Sequence, residues 1–308
     1  ERSPESLRTA ITLFAEAVKE DATFAPAYVG LADAHSLLNL YDIDPPTDAY
    51  EKALEYANRA HDLDRDLAEA HASLGYIHFY YKRDRAASEL EFRRAIQTNP
   101  SYAQAHHWFA LALAAMNKPV DALSEIETAE RLDPRSLSIK SAAAIVHFFA
   151  GEHERGLAAA DRALALQPDF VPAQKVKRWI YSVQGNWTAA REAFKSERNS
   201  SGRPDAPGWK IIEAQLAPLD ESSRRAALYM LEAVIDTPII RSNDFTFAFE
   251  IALAYEHLGN GELALNWIER AERAGAHGFN MIESDPRLAG LRNSPRYRRL
   301  VEKLQQPK

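Results

Sequence analysis

The sequence predicts an all-α fold, a stack of paired helices, on three observations. A short box recurs at a fixed interval: Ala95-Ile96-Gln97-Thr98-Asn99-Pro100, Ala129-Glu130-Arg131-Leu132-Asp133-Pro134 and Ala163-Leu164-Ala165-Leu166-Gln167-Pro168 follow one another every 34 residues. Seven residues before the Ala of the second and third boxes stand Ala122 and Gly156, with Ile126 and Ala160 between them. That spacing, i, i+4, i+7, is one face of a helix. Turn formers are scarce, 12 Gly and 16 Pro among 308 residues, too few for the many tight turns of a sandwich or barrel.

The elements follow in order. A first helix over residues 4–20 starts behind Ser3-Pro4-Glu5, an N-cap followed by Pro at the first helical position. It carries Ala10, Phe14 and Ala17, so it reads as the second helix of a pair whose first lies upstream of Glu1. Degenerate boxes at Ala17-Val18-Lys19-Glu20-Asp21 and Ala60-His61-Asp62-Leu63-Asp64 extend the series toward the N-terminus. Upstream of each box helix lies a partner with its own small residues: Leu74-Gly75 after His71, Phe109-Ala110 after His106, Ala143-Ala144 after Lys140. Gly151 and Gly185 fall where the first helix of a pair turns into the second. Registered on the box, the units start near Ala25, Ala68, Ala103, Leu137 and Val171. Two looser ones start near Pro207, with Ala226 and Ala233, and near Phe245, with Ala264, Ile268 and Ala271. An insertion over residues 39–46 lengthens one turn, and residues 198–208 form the most turn-rich stretch. A last helix over residues 295–304 caps the stack. The expected organisation is a regular array over 1–197, a linker loop with degenerate units over 198–274, and a capping segment over 275–308, in one continuous solenoid.

Composition excludes whole classes of chemistry. With no Cys, the chain has no disulfide, no Cys-type metal site and no thiol nucleophile. The net charge of −7 argues against nucleic-acid binding by this segment, since such affinity rests on neutralised phosphates. The charge is unevenly spread. From Arg287 to Lys308 there are seven Arg or Lys and one Glu, +6, which leaves −13 for the rest. Those arginines read as helix caps that bind the acidic body. No apolar stretch is long enough to span a bilayer, residues 142–150, broken by His147, included. There is no nucleophile elbow, no phosphate-binding glycine loop and no His-Glu-x-x-His, so no catalytic residue, cofactor or metal is expected. Carboxylates read as solvated helix faces paired with bases at i+4, as Glu269 with Arg273. Of the ten His, His35, His78 and His147 stand at one recurrent aromatic position, and His71 and His106 at another. They read either as aromatic replacements bonded to a neighbour or as a pH switch.

The 34-residue helix–turn–helix period and its small-residue positions resemble the tetratricopeptide repeat. The resemblance implies a right-handed α-solenoid of about seven helix pairs, with the orphan first helix and the cap. It also implies a concave groove lined by the first helix of each pair. The family's groove positions correspond here to Glu69, Tyr76, Phe79 and Tyr80, then Gln104 and His107, then Phe148, then Lys175 and Trp179. This aromatic surface suits an extended peptide or a short helix, and the same stripe also reads as packing between repeats. The family's clamp for a peptide C-terminal carboxylate is not implied, because Val29 and Asp33 occupy its positions in the first unit and only Lys175 is a cation in a comparable place.

A larger pattern is carried by Phe24-Ala25-Pro26-Ala27-Tyr28-Val29-Gly30-Leu31-Ala32-Asp33-Ala34, by Ala105-His106-His107-Trp108-Phe109, and by Asp285-Pro286-Arg287-Leu288 with Leu291-Arg292-Asn293-Ser294-Pro295-Arg296-Tyr297. It resembles the C-terminal repeat halves of bacterial winged-helix regulators, Ser/Thr kinases and nucleotide cyclases. The resemblance implies a non-catalytic interaction or sensory scaffold with a protein or peptide partner, open to self-association. It would lie in the bacterial cytoplasm or periplasm and reach a membrane only through an upstream segment. The alternative is a small-molecule or pH sensor with a pocket near the irregular block.

Overall fold

The computed structural model describes residues 4–40, 46–241 and 244–307. Among them the regular structure is helical: α1 (Pro4–Glu20), α2 (Ala25–Leu40), α3 (Pro46–Leu63), α4 (Ala68–Ile77), α5 (Arg85–Thr98), α6 (Ala103–Ala115), α7 (Pro119–Leu132), α8 (Leu137–Phe149) and α9 (His153–Leu166). Then come α10 (Val171–Val183), α11 (Trp187–Ser200), α12 (Trp209–Gln215), α13 (Glu221–Ile235), α14 (Pro238–Arg241), α15 (Asp244–His257), α16 (Gly261–Ala274) and α17 (Pro295–Leu304). A π turn spans His78–Lys82, and two 3-10 turns span His277–Met281 and Pro286–Leu291. The five regular units start at the residues read from the box. The Ser3 cap and the centre of the insertion, residues 41–45, lie outside the described residues.

The box is a helix terminator. Asp64, Asn99, Asp133 and Gln167 donate their N–H groups to the carbonyls of Ala60, Ala95, Ala129 and Ala163 at 2.9–3.0 Å. Each of those Ala side chains is fully buried, which is why nothing larger stands there. The acceptors Asn99 Oδ1 and Asp133 Oδ1 then take the N–H of Ser101 and Arg135, at 3.2 and 3.3 Å, and turn the chain.

The turn inside each pair rests on a left-handed residue that recurs every 34 positions: Arg83 (φ 53°), Asn117 (φ 59°), Gly151 (φ 75°) and Gly185 (φ 70°). After it, the N–H groups of Lys118, Glu152 and Asn186 reach back to the carbonyls of Leu113, His147 and Tyr181, each at 2.9 Å. These bonds cap the last turn of the preceding helix. At Arg83 the bond runs one residue further back, from Asp84 to His78 at 3.0 Å, because the end of α4 widens into the π turn. Only two of the four residues are Gly, so the sequence showed half of this series.

Contacts divide the chain into two compact units, Glu1–Ala112 with Lys303–Lys308, and Leu113–Glu302. In the first, α1 packs on α2, α2 on α3, α3 on α4 and α4 on α5. The close approaches are made by glycine: a Cβ on Gly75 would lie 2.9 Å from the Phe92 ring. In the second, α7 packs on α8, α8 on α9, α9 on α10 and α10 on α11. There α12 holds α13 and α15, α15 pairs with α16, and the Pro286–Leu291 turn lies against α15. Ala264, Ile268 and Ala271 are buried as their spacing predicts. On α13 the spacing misleads by one residue: Ala226 and Ala233 are exposed, and Ala227, Leu231 and Val234 face inward. One residue is about 100° of helix rotation, so the apolar residues, not the small ones, set which face of α13 is buried. Among the described residues no helix is long and apolar enough to cross a membrane.

Gly151 has no atom within 4 Å of an added Cβ, so Gly151→Ala isolates the conformational cost. It is expected to destabilise by about 1–2 kcal/mol, read as a lower unfolding midpoint in urea. An unchanged midpoint would show that the turn relaxes to negative φ.

Candidate functional site

In the first unit the groove positions gather as an aromatic cluster. Tyr76, at the end of α4, lies 4.5 Å from the Tyr80 ring and 4.9 Å from Trp108 on α6, and Phe79 meets Tyr80 edge-on at 4.8 Å. Tyr76, Phe79 and His107 are buried, whereas Glu69, Tyr80 and Gln104 stay partly exposed. Burial, with Tyr76 and Tyr80 beside it, holds the Tyr50 hydroxyl above its ordinary pKa. Ser73 donates to Asp33 Oδ1 at 2.5 Å and ties α4 to α2.

In the second unit Phe148, Lys175 and Trp179 come together, but around a partner from their own chain. The Arg287 guanidinium lies 4.3 Å from the Trp179 ring and 5.9 Å from Phe148, and Lys175 lies 5.2 Å from Trp179. Arg287 is fixed by Asp285, donating through Nε to Oδ1 at 3.0 Å and through Nη2 to Oδ2 at 2.6 Å. Phe148 is wholly buried and Trp179 is 7 % exposed. These two predicted groove residues are therefore covered by the segment read as a cap. Ser284 reaches Ala115 O at 3.3 Å, and the Tyr297 hydroxyl donates to Ile282 O.

Behind this contact runs a chain of buried charges. Arg178, 2 % exposed, donates through Nε to Glu197 Oε2 at 2.7 Å and through Nη1 to Gln215 Oε1 at 3.4 Å. Gln215 Nε2 in turn donates to Glu250 O at 2.9 Å and Oε2 at 2.8 Å. Burial pushes the Glu250 carboxyl up, but Lys175, Arg287, Arg178 and the Gln215 bond outweigh it and hold the pKa below its ordinary value. Burial likewise opposes the Arg287 charge, and Asp285, Glu250 and Glu197 more than restore it. Sequence reasoning missed Arg178, Glu197, Gln215, Glu250 and Arg287 as a group. One signal was present: Arg178 shares the inward face of α10 with Gln174, a polar residue already in a core register.

The histidines resolve individually. His71 Nε2 and His106 Nε2 donate to the carbonyls of Arg65 and Pro100 at 2.9 and 3.0 Å, and Gln174 Nε2 does the same to Pro168 at 3.0 Å. The shared task is to tie the first helix of a unit to the loop before it, which either side chain can do. Other surface charges also differ from the simple reading. Glu269 receives Arg296 Nε and Nη2, both at 2.8 Å, and thereby anchors α17 to α16 rather than serving only a helix-local pair. Among the described residues no cluster of three or more His, Asp or Glu could hold a metal.

Removing one member of the buried pair leaves the other charge stranded. Arg178→Met is expected to cost about 3–5 kcal/mol, and Arg178→Met with Glu197→Leu to recover most of it, both read by urea unfolding. Equal losses in the two variants would show that packing, not charge, sets the cost. The pH response has a definite sign. Burial holds His78, His147 and His257 below their ordinary 6.5. Their contribution is full above that value and is lost as pH falls below it. His71 runs the other way: its bond to Glu91 raises it, so its contribution is full below 6.5 and fades as pH rises through its folded value. Below 6.5 the His71 contribution is already full and the other three are being lost, so the melting temperature is expected to fall between about pH 6.5 and 5. The fall should be smaller in His257→Gln, and an equal fall would remove His257 from the account.

No family model matches the sequence, and no curated protein matches it. Solved structures do. The APC/C hetero-tetramer Cut9–Hcn1 superposes with a TM-score of 0.62 at 14 % identity, over 97 % of this chain and 53 % of that one. An IFIT1 monomeric mutant with m7Gppp-AAAA gives 0.59 at 14 % identity, over 87 % of this chain and 68 % of that one. TTC0263, a thermophilic TPR protein of Thermus thermophilus, gives 0.50 at 19 % identity, over 58 % of this chain and 94 % of that one. At these identities the likeness is one of fold: the chain is built as tandem helix–turn–helix repeats of the tetratricopeptide kind.

Proposed function

We propose that this chain is a non-catalytic scaffold that binds a protein or extended peptide along the first helices of its pairs, as the interaction half of a bacterial signalling or transcription regulator. The observation that carries this reading is the way α8 and α10 already hold residues 285–287. An Asp-fixed Arg side chain lies on Trp179 and Phe148, a contact by which an aromatic wall can hold a side chain of a bound peptide. The α4 and α6 face carries the same kind of wall, with Glu69, Tyr80 and Gln104 partly exposed along it. Cut9–Hcn1, an array of this fold assembled with a second protein, supports the same use. The regulator context rests on the three sequence stretches that resemble such proteins, and the reading frame upstream of Glu1 tests it.

Peptides selected from a random library on the purified chain are expected to lose about tenfold or more in affinity against Tyr80→Ala with Glu69→Lys. They should bind Tyr229→Ser, altered at an exposed residue elsewhere, unchanged. Equal binding to all three proteins would sink the groove assignment. A second reading, a small-molecule sensor at the irregular block, has a cleft of about 650 Å³ to its credit, walled by Arg191, Phe194, Arg198, Glu213 and Pro218. A metabolite that raises the melting temperature of the wild-type chain but not of Phe194→Ala would favour it.

A further inference from the structure

We propose that a separate cavity, between α10, α12, α15 and the Pro286–Leu291 turn, binds a small carboxylic acid, a ligand additional to the protein partner. The cavity measures about 240 Å³, and its wall includes Trp179, Trp187, Leu253, Glu256 and Arg287. That volume suits a molecule of amino-acid size and is below the usual range for drug-sized ligands.

The chemistry of the wall selects an acceptor. Trp179 Nε1 and Arg287 Nη1 are buried donors with no acceptor in the protein. The two side chains are in contact, with the guanidinium 4.3 Å from the indole ring. The other nitrogens of Arg287 are used: Nε and Nη2 are spent on Asp285. Unmet buried donors are costly, and a carboxylate supplies two acceptor oxygens together with a charge opposite to that of Arg287. Trp187 and Leu253 receive its apolar part. Among the described residues Glu256 is the acidic group lining the cavity, and Asp285 already pairs with the Arg287 guanidinium. Burial raises the Glu256 pKa, against the Gly290 N–H bond that it accepts at 3.2 Å. His257, whose imidazole burial holds below its ordinary value, donates through Nε2 to Ala217 O at 2.9 Å and adds no charge at neutral pH. Both unmet donors are covered, so binding requires the Pro286–Leu291 turn to shift; Ala289 and Gly290 are its exposed residues, while Leu288 and Leu291 are buried.

The test uses the whole chain with succinate, benzoate and N-acetylglycine, and with inorganic phosphate and sulfate at matched ionic strength. Indole N–H resonances and melting temperature are the readouts. At least one carboxylate is expected to move one indole N–H saturably, with a dissociation constant below about 1 mM, and to raise the melting temperature. Trp179→Phe should abolish that resonance while keeping a ring under Arg287, and should weaken binding about tenfold. Arg287→Lys, which keeps the charge without the fork, should weaken it as well. The proposal is overturned if none of the three acids gives a saturable change, or if Trp179→Phe binds as tightly as the wild type. Equal responses to phosphate and sulfate would overturn it in favour of general anion screening. These outcomes are independent of the peptide-binding variants, which lie in the other compact unit.

Discussion

The second unit depends on one buried contact, the Arg178 guanidinium against the Glu197 carboxylate. Two charges almost out of water are tolerable only when their hydrogen-bonding capacity is met. Here that requirement reaches well beyond the pair. Arg178 needs Gln215, Gln215 reaches Glu250, and Glu250 sits in the field of Lys175 and Arg287. Helices α10, α11, α12 and α15 and the 3-10 turn are thereby fixed to one another by a polar network with little tolerance for error. An apolar contact could slide; this one holds its register. The irregular block of the sequence stays registered to the regular block for that reason, although its own repeat signal has faded.

The regular units are built differently, from small local solutions repeated at a constant interval. An Ala that ends a helix is buried to nothing, a left-handed residue turns the chain, and a His or Gln ties the next helix to the loop before it. Each task constrains geometry more than identity. Arg83 and Asn117 do the work of Gly151 and Gly185, and Gln174 does the work of His71 and His106. The recurring histidines therefore serve first as structural donors. The loss of stability below pH 6.5 comes from His78, His147 and His257, whose neutral form is the one that burial favours.

Much of the fold was legible. The starts of α2, α4, α6, α8 and α10 and the bounds of α1 and α17 follow from the box and from capping residues, because helix ends are set by hydrogen bonds between neighbours in sequence. The face of α13 was misread, since Ala226 and Ala233 keep the spacing while Leu231 and Val234 carry the apolar area. The candidate site was legible only in part. Phe148, Trp179 and Lys175 do lie together, but the residue that meets them, Arg287, is more than a hundred positions further along the chain.

By itself the sequence determined the class of fold, the length of its repeat, the residues that end and turn its helices, and the absence of thiol chemistry. All of these depend on interactions within one or two helical turns, where a periodic pattern is a direct record of which side faces inward. Tertiary structure alone decided what fills the aromatic wall of the second unit, which charges are buried together, and where a small cavity remains. Those outcomes depend on segments distant in sequence arriving at one place. The free energy that brings them there, ion pairing at low dielectric and apolar area removed from water, leaves no periodic trace along the chain.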